Sequence, residues 1–431
     1  SIRDLFECWA HITTFRTIHK AIRKQSRQNK RDKLQQILTE GADLALHGRI
    51  FDWYRKIRLL CPKQRPKRIQ LFDTHGMPLA PRQELESIEH YYTQLFADPK
   101  FDARDLEPLT RLPFDRQDVL TELLHLPSTK ALAPNGLPAL IWKHFAHDLV
   151  DPLMHQIKQV WLQYPVNLPD HWTTGWIHLL TKPNKSPSKP QALRPICLQH
   201  PVNKILAGIQ CRQIILQTFD RFRSLPLYAY LPHRGTRECL LIVAEHCRTV
   251  RMMCRAVKTG PQPRLLGGLQ VSLDMEKAFD TVSRTLVLRA LQLYRLDPDL
   301  FQLVHSWLTP HKYCIPFKQL IGQIHAHRGI KQGAKDAPLL WTLTMSLVLV
   351  DLQNKYSHQW LHEHMVVYAD DIHLRWIIRS TAQALEALTD LQHVLMTLQA
   401  FGFNVNLHKS VAMLRLQGQE APAFLRTWVS R

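Results

Sequence analysis

Length, composition and charge narrow the class of protein. The chain has 431 residues, of which 45% are hydrophobic, so it can build a sizeable core over more than one domain and is not a disordered protein. Lysine and arginine outnumber aspartate and glutamate by 56 to 36, and the net charge of +20 favours a polyanionic partner through counterion release. No stretch of about 18 apolar residues and no signal-peptide pattern occurs, so membrane insertion and secretion are not expected.

The first predicted region is basic and helical. Residues 1–70 contain 17 basic and 6 acidic residues, a net charge of +11, and Leu34, Ile37 and Leu38 have helical spacing. This charge excess is typical of an arm that binds nucleic acid, although the same charges could instead form solvated helix and loop faces. Pro62 and Pro66 are expected to end the helical pattern.

The next segments mix strand, turn and helix signals. Residues 71–76 are expected to form a strand that ends in a turn, and a helix is expected over residues 83–96. Residues 105–165 alternate short helices with proline-containing turns, the sharpest at Pro134-Asn135-Gly136.

From about residue 163 the pattern predicts an α+β region in which strands alternate with helices. Within it, residues 183–190 are polar and rich in proline, which favours a mobile loop over a core element. Near the end of the region, leucines at helical spacing predict a helix with one face on a sheet. These are Leu385, Leu388, Leu391, Leu395 and Leu398.

The eight cysteines show no spacing typical of a zinc site or of a redox pair. They are interpreted as reduced, mostly buried thiols of an intracellular protein. They are Cys8, Cys61, Cys197, Cys211, Cys239, Cys247, Cys254 and Cys314.

Two adjacent carboxylates, Asp370 and Asp371, stand between short segments rich in β-branched and aromatic residues. The segments are residues 365–368 and 372–376, so we expect a hairpin with both acids at its tip. Asp274 lies 96 residues before Asp370 at the end of an apolar run, and should end a strand that faces the hairpin. Taken alone, an Asp-Asp pair at a turn is usually only a solvated or turn-forming pair.

Together the three acids predict a metal site. Close carboxylates resist joint ionisation unless cations share them. Mg²⁺ prefers oxygen ligands, and two such ions about 3.5–4 Å apart can hold the attacking and leaving oxygens of an in-line displacement. We therefore expect Asp274, Asp370 and Asp371 to bind two Mg²⁺ ions, with Mn²⁺ as a substitute and the main-chain carbonyl of Met275 as a further ligand. Glu276 and Asp280 are expected to be surface or structural acids and not metal ligands.

The carboxylates belong to a series of sequence blocks spread over most of the chain. The blocks are residues 130–138, 176–183 with 193–198 and Lys204, 228–236, 271–280, 329–333 with Ala337-Pro338, 365–376 and 401–410. In this order they resemble the reverse transcriptase domain of non-LTR (LINE-type) retrotransposons. The resemblance implies an α+β right-hand polymerase with fingers and palm, and because the chain begins at Ser1 and stops soon after the last block, we expect a fragment of a longer polyprotein.

The resemblance also implies substrate-binding residues. Phe279 falls where the family places the bulky side chain under the incoming sugar, where it would exclude a 2′-hydroxyl and select deoxynucleotides. Gln332 and Gly333 would border the nucleotide and the template base. For Phe279 the alternative is an ordinary core position.

Three basic residues are implied at the triphosphate. Lys182 and Arg194 are expected to contact its oxygens, although either could serve the template backbone instead. Lys409 resembles the lysine that protonates the departing pyrophosphate, and its alternative is a solvated lysine after a turn.

Two features depart from the family pattern. After Gln332-Gly333 the family usually has Asp-Pro, one further residue and Ser-Pro, whereas here Ala334, Lys335, Asp336 and Ala337 precede Pro338. This change alters a loop that helps to seat template and nucleotide. In addition, only about 20 residues follow Ser410, too few for the primer-gripping hairpin and helical thumb of the family, so we expect the thumb to be largely absent and the primer duplex to be held poorly.

The expected organisation is a helix-rich basic N-terminal extension (residues 1–110), a linker with the pre-fingers block (residues 111–162) and a fingers and palm domain (residues 163–431). The expected activity is RNA-directed DNA polymerisation with an RNA template, a DNA primer or target and deoxynucleoside triphosphates. By resemblance, the element's own RNA would be copied at a nicked chromosomal target, in the nucleus after a cytoplasmic ribonucleoprotein stage. No endonuclease motif is recognisable, and the oligomeric state is open.

Other functions fit part of the pattern. Retron and group II intron reverse transcriptases and RNA-dependent RNA polymerases use the same carboxylates, and Phe279 argues against the last. The alternative outside the enzymes is a decayed or repurposed copy that only binds nucleic acid. The altered loop at residues 334–337 is consistent with this alternative.

Overall fold

The computed structural model describes the chain except for residues 1, 59, 61–67, 99–105, 129–130, 132, 135, 183–184, 257–262 and 429–431; the side chains of residues 2–8, 10 and 311 also lie outside it. The predicted break at Pro62 and Pro66, and Asn135 of the predicted turn, therefore lie outside the described residues. The chain divides into two compact units, Ser1–Arg68 and Ile69–Arg431, and each is considered by itself.

The first unit is helical, as predicted. It consists of α1 (Ile2–Leu46) and α2 (Ile50–Arg58). Gly48 takes a φ of +68° between the two helices, a conformation that glycine adopts without steric cost. Lys56 of α2 forms an ion pair with Glu40 of α1, so the two helices contact each other.

The second unit mixes helices and strands. Its helices are α3 (Pro81–Leu95), α4 (Arg116–Leu124), α5 (Ala139–His144), α6 (Ala146–Trp161), α7 (Asp170–Thr173), α8 (Pro201–Arg223), α9 (Thr236–Ala256), α10 (Ala278–Thr281), α11 (Arg284–Leu293), α12 (Pro298–Trp307), α13 (Ala337–Lys355), α14 (His358–His364), α15 (Thr381–Ala400) and α16 (Ala421–Trp428). Its strands are β1 (Gly175–Thr181), β2 (Leu193–Leu198), β3 (Leu266–Asp274), β4 (His311–Phe317), β5 (Leu320–Ala326), β6 (Met365–Tyr368), β7 (Asp371–Ile378) and β8 (Val411–Gln417).

The first sheet has the strand order β2-β1-β4-β5. β1 and β2 pair antiparallel, which confirms the expected pairing of residues 176–183 with 193–198, and β1 runs parallel to β4. Helix α3 packs on this sheet, where Ile88 and Tyr92 share a core with Tyr313 and Ile315.

The second sheet has the order β6-β7-β3-β8, with every neighbouring pair antiparallel. One face carries the largest core, closed by α11, α13 and α15. On the opposite face α9 lies over one end, where Cys247 Sγ donates to Gln270 Oε1 at 3.5 Å. Strand β8 was not predicted; it uses the residues just after the last sequence block to complete this sheet.

A third core is helical. It joins α4, α6, α8 and α12 around buried Trp161, whose ring stacks on Trp172 and tilts against Trp307. This core confirms the helices expected over residues 105–165, although α6 is longer than predicted and continues through Pro152.

Other local predictions have mixed outcomes. The helix expected over residues 83–96 is α3. Residues 71–76 form a single bridge, Phe72 to Pro78, around a turn, and not a full strand. The leucine-spaced helix is α15, which packs on β7, but Leu385 is 36% exposed because the buried face is centred on Ala384, Ala387, Val394 and Leu398.

The division at Arg68 falls inside the predicted N-terminal extension of residues 1–110, because α3 packs on the first sheet of the second unit. The predicted boundaries after residues 110 and 162 stay predictions. Among the described residues, no helix is both long and apolar enough to cross a bilayer. The six cysteines with described side chains are free thiols, four of them buried, as expected for this part of the chain.

Candidate active site

The predicted hairpin carries both carboxylates. β6 and β7 are joined through Ala369 and Asp370, with Tyr368 paired to Asp371 across the hairpin. Ala369 takes a φ of +56°, in the left-handed region, which a tight two-residue connection requires. Asp370 therefore sits at the tip and Asp371 begins β7.

Asp274 is the last residue of β3 and lies directly opposite Asp371. Residues opposite each other in an antiparallel pair project from the same face with Cβ atoms about 4.5–5.5 Å apart. The two carboxylates therefore meet on one face of the sheet, which confirms the expectation that Asp274 ends a strand facing the hairpin.

Lys409 reaches Asp274 from the turn before β8. The β3–β8 pairing ends at Ser272 and Val411, and Lys409 lies in the turn that precedes this pairing. Its Nζ lies 2.8 Å from Asp274 Oδ2. The predicted proton donor is therefore in direct contact with a predicted metal ligand.

The backbone of Asp274 is held from the segment before β8. Asn406 N–H donates to the Asp274 carbonyl at 2.7 Å, and Asp274 N–H donates to Ser410 Oγ at 3.1 Å. The next residue, Met275, bridges Val405 as a pair that exchanges no hydrogen bond, so its carbonyl points away from this segment, towards the side on which β7 lies. That direction suits the predicted ligand role of Met275.

The electrostatics of the three carboxylates, Asp274, Asp370 and Asp371, favour a bound cation. The pKa of Asp371 is raised by burial and then by the negative charges of Asp370 and Asp274. The pKa of Tyr230 is raised by burial and then by Asp370 and Tyr368. Ionising Asp371 therefore costs free energy that bound divalent cations would offset.

The predicted metal ligands do not form a closed cluster. Within the described ranges, no three His, Cys, Asp or Glu side chains are arranged around a common metal position. Asp274 is paired instead with the Lys409 ammonium. The oxygen-only donor set and the raised pKa of Asp371 fit Mg²⁺, provided that Asp274 exchanges Lys409 for the ion.

Phe279 belongs to an aromatic group behind the hairpin. Its half-buried ring stacks on Trp341 with centroids 5.3 Å apart, and the fully buried Trp341 donates from Nε1 to the Ala369 carbonyl at 2.8 Å. Phe403 meets the other side of Trp341 edge-on. The predicted sugar-contacting side chain is thereby linked through one residue to the turn that carries Asp370.

The predicted triphosphate residues lie together. Lys182 follows β1 and Arg194 lies on β2, opposite Leu180, so the two side chains share a face. Both influence the pKa of Asp280. Burial raises this pKa to about 6, and the positive charges of Lys182, Lys277 and Arg194 oppose the rise. Burial, and then the charge of Lys185, lowers the pKa of Lys182. Three cations thus lie around a single acid, with Lys185 close to one of them, and this excess of positive charge suits a polyphosphate.

Gln332 and Gly333 lie against β2. The Gln332 carbonyl accepts from Cys197 N–H at 2.7 Å. Gly333 takes a φ of +102°, and a Cβ there would come within 3.1 Å of Ile196 Cγ2, so this close approach requires glycine. Gln332 Oε1 is buried without a hydrogen-bond partner among the described residues, which leaves it open to a ligand.

Sequence reasoning missed several residues of the site. Trp341 could be predicted only as part of an apolar helix, because its indole contacts Ala369, a residue distant in sequence. Ser410 and Asn406 stood in a recognised block without a role. Lys277 was overlooked although it lies three residues after Asp274; a φ of +51° for a lysine marks a turn held by its surroundings.

Asp280 gives a testable pH dependence. Because its pKa is raised to about 6, the folded state holds this proton more tightly than the unfolded state, and the associated stability is lost as the pH rises through about 6. We expect Asp280→Asn to raise the melting temperature at pH 7 by a few degrees, with the difference fading towards pH 4. Thermal unfolding across this pH range, with the exposed Asp351→Asn as control, checks it; a pH-independent difference would contradict the assignment.

Comparison with known proteins identifies the family. A sequence model described as reverse transcriptase (RNA-dependent DNA polymerase) matches residues 182–426, more than half of the chain. The chain belongs to the reverse transcriptase family. Its fold is accordingly the right-hand polymerase fold, with mixed helices and sheets, as the sequence predicted.

Two curated relatives specify the type. The retrovirus-related Pol polyprotein from type-1 retrotransposable element R1 of Bradysia coprophila is 25% identical over 185 residues, 43% of this chain and 17% of that protein. The corresponding R2 polyprotein of Popillia japonica is 29% identical over 86 residues, 20% of this chain and 14% of that protein. The predicted resemblance to a non-LTR retrotransposon reverse transcriptase is confirmed, and the chain spans less than a fifth of these relatives.

Among solved structures, an apo telomerase from Candida tropicalis truncated from the C-terminal domain is similar with a TM-score of 0.41 and 12% identity. The similarity covers 66% of this chain and 58% of the telomerase chain.

Proposed function

We propose that the chain copies RNA into DNA by two-metal nucleotidyl transfer. The observation that carries the proposal is the direct pairing of Asp274 with Asp371 beside Asp370, in a chain of the reverse transcriptase family. The second sheet would be the palm, which carries these acids, and the first sheet the fingers, which carry Lys182 and Arg194.

Asp274, Asp370 and Asp371 would hold two Mg²⁺ ions, with the Met275 carbonyl as a further ligand. When bound, such ions supply Lewis-acid stabilisation to the attacking and leaving oxygens of an in-line displacement. For Asp274 to take part, Lys409 must move from its carboxylate, and this frees the ammonium for the substrate.

The chain's own residues serve each part of the reaction. The primer 3′-hydroxyl loses its proton to water, and its oxygen forms a bond to the α-phosphorus of the deoxynucleoside triphosphate while the bond to pyrophosphate breaks. Lys182 and Arg194 bind the triphosphate oxygens, and Lys409 gives its proton to the departing pyrophosphate. Phe279, fixed by Trp341, excludes a 2′-hydroxyl, and Gln332 borders the base pair.

The test is extension of a DNA primer annealed to an RNA template, at low salt and with protein in excess. With Mg²⁺ and deoxynucleotides we expect a product complementary to the RNA. Protein that binds the primer–template in a filter assay but extends nothing, with Mg²⁺ or Mn²⁺, would favour the alternative of a copy that only binds nucleic acid.

Helix α1 supports nucleic-acid binding by the first unit. Between Arg16 and Arg31 it carries seven exposed basic residues and no acid. At 100° per residue, all seven fall within an arc of about 120° along one side of the helix. They are Arg16, Lys20, Arg23, Lys24, Arg27, Lys30 and Arg31.

Neutralising part of this stripe should weaken binding through phosphate contacts. We expect the triple variant Arg23→Gln, Arg27→Gln, Lys30→Gln to reduce the slope of log affinity against log salt by roughly 2 to 3, since each lost contact contributes about 0.7–0.9. Salt-dependent filter binding measures it. The control triple Arg49→Gln, Arg55→Gln, Arg58→Gln, at and just before α2, removes equal charge, and an equal effect there would contradict a specific stripe.

We also propose that the template is the element's own RNA and that synthesis takes place in the nucleus after a cytoplasmic ribonucleoprotein stage. The support is the kinship with retrotransposon polyproteins. Imaging of the tagged protein together with its RNA tests it, and exclusion of the protein from nuclei would contradict it.

A further inference from the structure

The loop that departs from the family pattern, residues 334–337, is tied into the fold by charge. Lys335 Nζ forms an ion pair with Glu122 Oε2 of α4, and the Glu122 side chain is only 6% exposed. The other oxygen, Glu122 Oε1, accepts from Arg212 Nη1 of α8 at 2.5 Å. Lys335 is thus one of two cations on a single buried carboxylate.

Helix α8 leaves space for this ion pair. Gly208 lies inside the helix, where glycine costs about 0.5–1 kcal/mol relative to alanine. A Cβ at this position would overlap both Glu122 Oε2 and Lys335 Nζ. The glycine and the ion pair therefore fit each other, as expected for a built contact and not for a chance approach of surface charges.

The second charged residue of the loop, Asp336, also has an oppositely charged neighbour. Asp336 is half-buried and interacts with Lys331, whose Nζ donates to the Thr173 carbonyl at 3.2 Å. Burial raises the pKa of Asp336, and Lys331 opposes that rise. Both charges that the loop introduces therefore have oppositely charged neighbours.

The loop connects two parts of the site. Just before it, the Gln332 carbonyl is bound by Cys197 of β2, the strand that carries Arg194. Just after it, α13 begins at Ala337 and carries Trp341, whose indole holds the Ala369 carbonyl. Movement of residues 334–336 would therefore shift Gln332 relative to the hairpin.

We propose that Lys335, through its ion pair with Glu122, is a positioning residue that fixes the substituted loop and thereby places Gln332 and Gly333 for nucleotide binding. The proposal rests on the proposed polymerase function. The ion pair supplies the rigidity that proline would give, so it compensates for the proline that the family's loop has and this loop lacks. It also explains why a chain with an altered loop can keep the rest of the site intact.

The test compares two lysine–glutamate pairs of the same kind. Lys335→Met removes the proposed positioning contact, and the control Lys318→Met removes the pair between Lys318 and the fully buried Glu84 on the first sheet. We expect Lys335→Met to raise the KM for deoxynucleotides about tenfold with little change in kcat, Lys335→Arg to restore it, and Glu122→Gln to add little to the effect of Lys335→Met. Thermal unfolding of both methionine variants accounts for general destabilisation.

An unchanged KM in a folded Lys335→Met protein, or equal rises in Lys335→Met and Lys318→Met, would overturn the proposal. A second readout does not depend on activity: amide hydrogen exchange at residues 332–336 should speed up at least tenfold in Lys335→Met and stay unchanged in Lys318→Met. If the unmodified chain extends no primer, the polymerase function fails, and exchange alone decides whether Lys335 fixes the loop.

Discussion

Replacing Asp370 with asparagine is expected to abolish detectable DNA synthesis on RNA while leaving primer–template binding intact. Asparagine keeps the size of the side chain and removes the charge that a divalent cation needs. Losing one preorganised electrostatic contact of this kind lowers rates by about 100- to 1,000-fold. The same loss is expected for Asp274→Asn, which also releases Lys409 from its ion pair.

Single-turnover primer extension measures this loss. Glu276→Gln is the matched control, because this exposed acid lies two residues after Asp274 and forms an ion pair with its neighbour Lys277. We expect the control to keep near-normal rates. Extension by Asp370→Asn at the rate of the unmodified chain would show that the hairpin acids are not the catalytic ligands.

The second large effect concerns the choice of sugar. We expect Phe279→Ala to increase ribonucleotide incorporation relative to deoxynucleotide incorporation by about 10- to 100-fold, because a small side chain leaves room for the 2′-hydroxyl. The ratio of kcat/KM values for the two nucleotides measures the change.

A core substitution can also disturb the site indirectly, since Phe279 stacks on Trp341. Phe301→Ala is the control: Phe301 is also partly buried and packs against the same core, but on α12. If both variants change the nucleotide ratio equally, Phe279 is an ordinary core residue and the choice of sugar has another origin.

The parts of the site that could be predicted are those that a short stretch of sequence encodes. β-branched residues around Asp370-Asp371 and the apolar run before Asp274 predicted a hairpin and a strand end, and both are present. The order of the blocks predicted the family. Local patterns suffice there because strand propensity and turn position depend on neighbours in sequence.

What could not be predicted depends on contacts between distant segments. The ion pair of Lys409 with Asp274 depends on how the turn before β8 approaches the end of β3, and β8 was itself not predicted. The contact of Trp341 with Ala369 requires knowing how α13 packs under the hairpin. A one-residue change in register or helix phase would remove either contact without altering any local pattern.

The partners of the charged residues in the altered loop could not be predicted from the sequence either. Read from sequence, Lys335 and Asp336 only interrupt a family pattern, and a decayed copy is a natural interpretation. Their partners Glu122 and Lys331 become visible only in the fold, where α4 and the segment before the loop bring opposite charges to them. Spacing in sequence gave no signal for a contact that spans more than 200 residues.

The most direct test of the central claim is a crystal structure of the chain with primer–template, a non-hydrolysable deoxynucleotide and Mn²⁺. The account predicts two anomalous peaks about 3.5–4 Å apart, bound by Asp274 and the hairpin acids, with Lys409 displaced towards the triphosphate. A complex with nucleotide in place, Lys409 still paired with Asp274 and Mn²⁺ bound only elsewhere would contradict it.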